Sequence, residues 1–230
     1  MAKRNNIPFI HNYCDRWCER CEFTTRCAVF ERESESFDQN HDISQKEFWE
    51  NLANIFAETK QLIYKIAEEN NIDLNAVDYT EIDAERKKKS EQIKQQPLHN
   101  LSRDYYKKVD KLLEHNDLFI SADEQTKNEI LPIIRWYQYF ISAKIQRGLH
   151  SVDDDFDDDF LRDCEGSIKI ALIAVERSIM AWTILLNNSN LSEITPIIYL
   201  LKMIRRNCEE KFPNAQDFRR PGFDEIETVM

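Results

Sequence analysis

Apolar residues recur every three or four positions through long stretches of this chain, and nowhere do they alternate as a half-buried strand requires. The first stretch runs from about Ser44 to Asn70, where Ser44 and Glu47 form an S-x-x-E capping box and Phe48, Leu52, Ile55, Phe56, Leu62, Ile63 and Ile66 fall at helical spacing. The second runs from Ser102 to His115, with Tyr105, Val109, Leu112 and Leu113 on one side. A third begins at the Ser121–Glu124 box and continues to Gln146, with a kink expected at Pro132 and a stop at Gly148. The fourth, Leu161 to Leu186, is apolar on nearly every face and is expected at the centre of the fold. The fifth runs from Ser192 to Lys211. Between the first two, residues 84–96 are charged and poor in apolar side chains, which predicts an exposed helix or a linker.

Only 3 glycines occur in 230 residues, and they stand alone, so neither a dinucleotide-binding turn nor a phosphate-cradling loop can be written. The expected fold is all-α: a helical bundle of four to five long helices, residues 41–212, preceded by an irregular cysteine-rich segment, residues 1–40, and followed by an irregular tail, residues 213–230. With 42 acidic against 31 basic side chains the net charge is −11, which argues against non-specific nucleic-acid binding. The apolar stretch around Ile168–Leu186 is interrupted by Lys169, Glu176 and Arg177, so no membrane span is expected. No apolar run follows the charged start at Met1–Arg4, which predicts no secretory leader and a cytoplasmic protein.

Chemistry concentrates near the N-terminus. Cys14, Cys18, Cys21 and Cys27 follow a C-x3-C-x2-C-x5-C spacing, with His11 three residues ahead. Thiolates gathered this tightly repel one another unless a cation neutralises them, so the four cysteines are the expected ligands of a metal, with His11 as a fifth candidate. Three thiolates in one short loop plus a fourth nearby suit a [4Fe–4S] cluster. Zinc is the alternative, although structural zinc usually takes two short pairs separated by a longer loop. Arg16, Arg20 and Arg26 are available to offset cluster charge. Tyr13, Trp17 and Phe23 are expected to dock the segment onto the bundle.

The Cys14-x3-Cys18-x2-Cys21 triplet resembles that of radical SAM enzymes, but the β/α barrel and Gly-rich motif of those enzymes are missing. Cys18-x2-Cys21-x5-Cys27 resembles the last three ligands of the cluster loop in iron–sulfur DNA glycosylases and cluster-bearing nucleases. That resemblance implies a largely structural [4Fe–4S] cluster and carries no DNA chemistry, because the catalytic motifs are absent. The run Tyr13–Cys21 also resembles the opening of small uncharacterised bacterial proteins.

Other features have plainer readings. Cys164 and Cys208 are expected as free buried thiols on different helices. The six aspartates of Asp153–Phe160 miss the glycine and glutamate of an EF-hand and suggest a solvated acidic loop. Glu176 is expected to be buried and paired with an Arg or Lys of a neighbouring helix. The expected function is that of a metal-binding accessory or redox-sensing protein. A zinc-held module whose acidic loop and Phe218–Met230 tail engage a protein partner is the second reading, and an enzyme with a pocket among Trp136, Tyr137, Glu176 and Trp182 is the third.

Overall fold

A computed structural model describes residues 5–37, 46–74, 76, 79–114, 123–151, 158–187 and 192–224. The elements are α1 (Ala28–Phe37), α2 (Lys46–Glu69), α3 (Tyr79–Lys94), α4 (Pro97–Glu114), α5 (Leu131–His150), α6 (Asp158–Asn187) and α7 (Ile194–Lys211), with short single turns between them. No strand occurs among the described residues. The all-α expectation therefore holds. The proposed caps at Ser44 and Ser121 and the aspartates Asp153–Asp157 lie outside the described residues.

The bundle is a ring of four helices. Helix α5 packs on α6, α6 on α7, α7 on α4, and α4 on α5. Their inward faces supply Tyr105, Val109, Ile134, Ile141, Ile145, Ile168, Val175, Trp182, Leu201 and Ile204, all essentially inaccessible to water. Each fully buried aliphatic of this kind stabilises the fold by about 1.5–3 kcal/mol. Two polar contacts cross the interior. The Trp182 indole donates to Tyr105 Oη at 3.3 Å, and the Ser102 and Ser142 hydroxyls pair at 3.2 Å.

Helix ends depart from the periodicity in two places. Helix α4 begins at Pro97 rather than Ser102, because proline preorganises a first turn and its missing N–H has no partner to lose there. Ahead of α5 the chain makes a wide π turn, Thr126–Ile130, with Asp123 Oδ1 accepting from the Thr126 N–H at 2.6 Å. Helical backbone runs from Glu124 through this π turn into α5, as the periodicity predicts, with Pro132 in the first turn of the regular helix. The expected stop at Gly148 does not occur. The helix runs through to His150, and a Cβ on Gly148 would lie 2.6 Å from Ile168 Cδ1. Glycine there sets the distance between α5 and α6.

Helix α6 is not at the centre. It is one member of the ring, and its outer face is covered around Gly166, while Met180 and Ile184 further along lie exposed. Tyr13 and Phe218 pack on Gly166, where a Cβ would come within 2.4 Å of the Tyr13 ring and 2.8 Å of Phe218. Residues 84–96 resolve in favour of a helix, α3, which anchors through the buried Ile93 and otherwise faces water.

Helix α2 departs most from expectation. Its apolar stripe forms as the periodicity predicts, yet Ile55, Phe56 and Leu62 are 58%, 65% and 57% exposed, and Ile63 and Ile66 are exposed too. It makes no substantial contact with any other helix among the described residues. No helix of the described residues is long and apolar enough to cross a membrane.

Candidate metal centre

The cysteine segment is built from three single turns, Ile10–Asn12, Cys18–Arg20 and Thr24–Arg26. Each closes on its own backbone, as in Cys21 N–H to Cys18 O at 3.2 Å and Cys27 N–H to Thr24 O at 3.3 Å. A bond from Ile7 N–H to Arg26 O at 3.0 Å ties the two ends of the loop together. Arg16 adopts φ +58°, a left-handed conformation that costs a non-glycine residue free energy, and so folds the three residues between Cys14 and Cys18 into a tight bend. The Cys27 carbonyl accepts from Glu31 N–H at 3.0 Å, which opens α1 and places Cys27 at the positive end of that helix's dipole.

These turns bring Cys14, Cys18, Cys21 and Cys27 to the wall of one small cavity of about 20 Å³, closed by His11 and by the apolar side chains of Ile10, Phe23, Val29, Phe30 and Phe223. The Phe23 N–H donates to Cys21 Sγ at 3.4 Å, and the Arg16 N–H donates to the Cys14 sulfur. Both are bonds from the amide two residues after the cysteine, an arrangement that stabilises sulfur carrying negative charge. Burial pushes the Cys18 thiol up, and the charges of Cys14, Glu33, Cys21 and Cys27 push it further. Burial also raises Cys14, against the opposing pull of Arg16 and Lys144. Cys18 thus lies within electrostatic reach of Cys14, Cys21 and Cys27, whose charges disfavour its ionisation. Among the described residues no three His, Cys, Asp or Glu side chains converge closely enough to share one metal ion. Four thiols border one apolar-walled cavity, and backbone amides are aimed at two of the sulfurs. His11 borders the cavity, and burial together with Arg16 and Arg147 lowers its pKa, which keeps the imidazole neutral.

Asp15 holds the segment in place. Its Oδ1 accepts from Trp17 N–H at 3.2 Å, and its Oδ2 accepts from Tyr137 Oη and from Arg177, both at 2.7 Å. Its backbone carbonyl accepts from the Trp136 indole at 2.8 Å. Burial and the bond to Asp15 push the Tyr137 phenol up to about 12, so it remains a donor. Trp17 stacks on Trp136 with centroids 5.1 Å apart, and the Arg20 guanidinium covers the Trp17 ring at 4.0 Å. Lys144 donates to Asn12 O at 3.0 Å. Tyr13 donates to Asp163, which is itself gripped by Arg147. The aromatic residues between the cysteines dock the segment as their spacing suggested. Of the three arginines, Arg16 stands near Cys14, whereas Arg26 turns to Asn5 O at 3.4 Å.

The C-terminal strap closes the site. Phe223 meets Phe23 edge-on at 4.9 Å, and Gly222, at φ +78°, lies against Ile7 and Ile10 with no room for a side chain. Lys169 donates to Gln216 O and Phe218 O and pairs with Asp224 at 3.2 Å. Phe218, Gly222, Phe223 and Asp224 thus make contacts within the chain; residues 225–230 lie outside the described set. Burial raises the Asp224 carboxyl, but the Arg220 guanidinium and N–H, with Lys169, outweigh it and hold it well below the usual carboxylate range. Because the folded pKa is depressed, this contribution is present above the ordinary value of 3.8 and is lost as pH falls through the folded value. We expect the contact between Phe23 and Phe223 to loosen below about pH 3 before the bundle melts, read by ring proton shifts in an acid titration.

Comparison with protein-family models, curated proteins and solved structures finds no match to this chain.

The remaining candidates separate. Cys164 and Cys208 are free and buried on α6 and α7, and burial pushes both thiols up to about 12. Cys164 donates to Gly148 O at 3.2 Å. Glu176 does pair with a neighbouring helix, at 3.4 Å from Arg205, but it is 53% exposed, not buried. Trp182 is sealed in the core, while Trp136 and Tyr137 turn to Asp15, so the four residues expected to line an enzyme pocket do not share one. Sequence reasoning missed Asp15, Lys144, Arg177 and Phe223. The only signal for Asp15 was its place between two cysteines, and nothing marked its partners.

Proposed function

We propose that Cys14, Cys18, Cys21 and Cys27 hold a [4Fe–4S] cluster and that the chain is a helical accessory or redox-sensing protein. The observation that supports this reading is that Cys14, Cys18, Cys21 and Cys27 border a single apolar-walled cavity, with backbone amides aimed at two of the sulfurs. Three thiolates in one short loop with a fourth nearby suit a cluster, whereas structural zinc usually takes two short pairs separated by a longer loop. The hydrogen bonds to Cys14 and Cys21 and the apolar lining of the site are levers that set a cluster's potential. Such a group supplies one-electron transfer or a cross-link between loop turns. The chain's own residues hold it, exclude water through Ile10, Phe23 and Phe223, and fix the loop through Asp15. Zinc, with the neutral His11 replacing one thiolate, is the second reading, and it belongs to a stabilised interaction module.

Purification without oxygen followed by iron, sulfide and zinc analysis separates these readings. About four iron and four sulfide per chain, with visible colour, is the expected result. A colourless chain with one zinc transfers the site to the second reading, and a metal-free chain of unchanged stability overturns both.

A further inference from the structure

The exposed face of α2 is an apolar surface that the cysteine site does not use, and large exposed apolar stripes mark interaction sites. Its residues follow an alternating four–three spacing: Phe48, Leu52, Ile55, Thr59, Leu62, Ile66. That is the seam of a heptad, and a second ridge seven residues apart, Trp49, Phe56 and Ile63, widens it on one flank. Thr59 does not spoil the seam, since its hydroxyl donates to Ile55 O at 2.8 Å within the helix. The opposite flank carries Glu58 and Lys65; Lys65 lies 3.8 Å from Glu69 with both side chains largely in water, so it can turn to another acid.

We propose that α2 pairs antiparallel with α2 of a second copy of this chain. The charges select both occupant and register. Placing Ile55 opposite Ile66, Thr59 opposite Leu62 and Phe56 opposite Ile63 also places Glu58 opposite Lys65, twice, as a two-fold axis requires. A parallel pairing leaves Glu58 and Lys65 facing the partner's apolar ridge. A 24-residue helix is about 36 Å long, and two of them joined along a three-ridge seam bury on the order of 1,500 Å², the area of a specific interface. An anionic membrane is the poorer occupant, because three lysines of α2 are outnumbered by five glutamates.

Sedimentation of the full chain tests the pairing. The expected result is a dimer at about 10 µM, with Phe56→Asp weakening association at least a hundredfold while the circular dichroism of the bundle is retained. Glu58→Lys and Lys65→Glu each weaken it alone. The double variant restores it, and so does an equimolar mixture of the two single variants, because opposite charges then face each other at both contacts again. The test leaves four ways to overturn the proposal: a wild-type monomer at every concentration, a dimer indifferent to Phe56→Asp, a double variant as weak as the singles, or a monomer that floats with anionic phospholipid vesicles.

Discussion

If the proposed metal centre exists, a chain carrying Cys18→Ser is expected to keep its helical bundle and lose the metal. Cys18 lies within electrostatic reach of Cys14, Cys21 and Cys27, so its removal takes a ligand from the middle of the set. Losing a partner outside the ligand shell of a metal costs roughly 10- to 100-fold in affinity, and losing a ligand costs more. Because the bound group and the loop are ordered together, the segment from Cys14 to Cys27 gives up its protection along with the metal. Three measurements check this: iron or zinc per chain, visible absorption, and hydrogen exchange of residues 14–27 against that of α5 and α6. Cys208→Ala is the control. That thiol is sealed among the residues of α7 and the core, and its loss should leave metal content unchanged while lowering stability slightly. Equal metal content in Cys18→Ser and the parent chain would remove the proposed centre.

The second large effect is expected from Asp15→Ala. The substitution deletes three hydrogen bonds at once, one of them to a guanidinium, and leaves the Tyr137 hydroxyl and Arg177 with each other at 2.6 Å. Bonds to charged groups contribute about 1.5–3 kcal/mol each in sheltered sites. Arg177 is half exposed, so water screens part of this, and a total near ~2 kcal/mol is expected. Asp15→Asn retains an acceptor and should lose about half as much. Urea melts report the stability change, and metal affinity should fall in the same order without disappearing. A midpoint unchanged in Asp15→Ala shows that the loop is held by its aromatic contacts alone.

Helix existence was legible in this sequence because long stripes at a period of about 3.6 admit few other structures. Helix ends were less so, because Gly148 and Pro132 were read by their local habits. Gly148 is kept inside α5 by the close approach of Ile168, and Pro132 is absorbed by a π turn before the helix. Periodicity also states that a face is apolar without saying what covers it. The stripe of α2 and the outer face of α6 looked alike, yet the first lies largely open and the second is covered by Tyr13 and Phe218 around Gly166. The cysteine cluster could be found by spacing, since its members are neighbours in the chain. Asp15 could not, because Tyr137 and Arg177 lie 122 and 162 positions away and give no local pattern.

The cysteine segment and the strap at residues 218–224 meet over the sulfur-lined hollow, so the site joins parts of the chain that are far apart in sequence. The side chains on which the cysteine segment rests lie 121 to 162 positions beyond it. If the four cysteines hold a group as proposed, its entry into the folded molecule requires the flap at Gly222–Asp224, which packs against Ile7, Ile10 and Phe23, to lift.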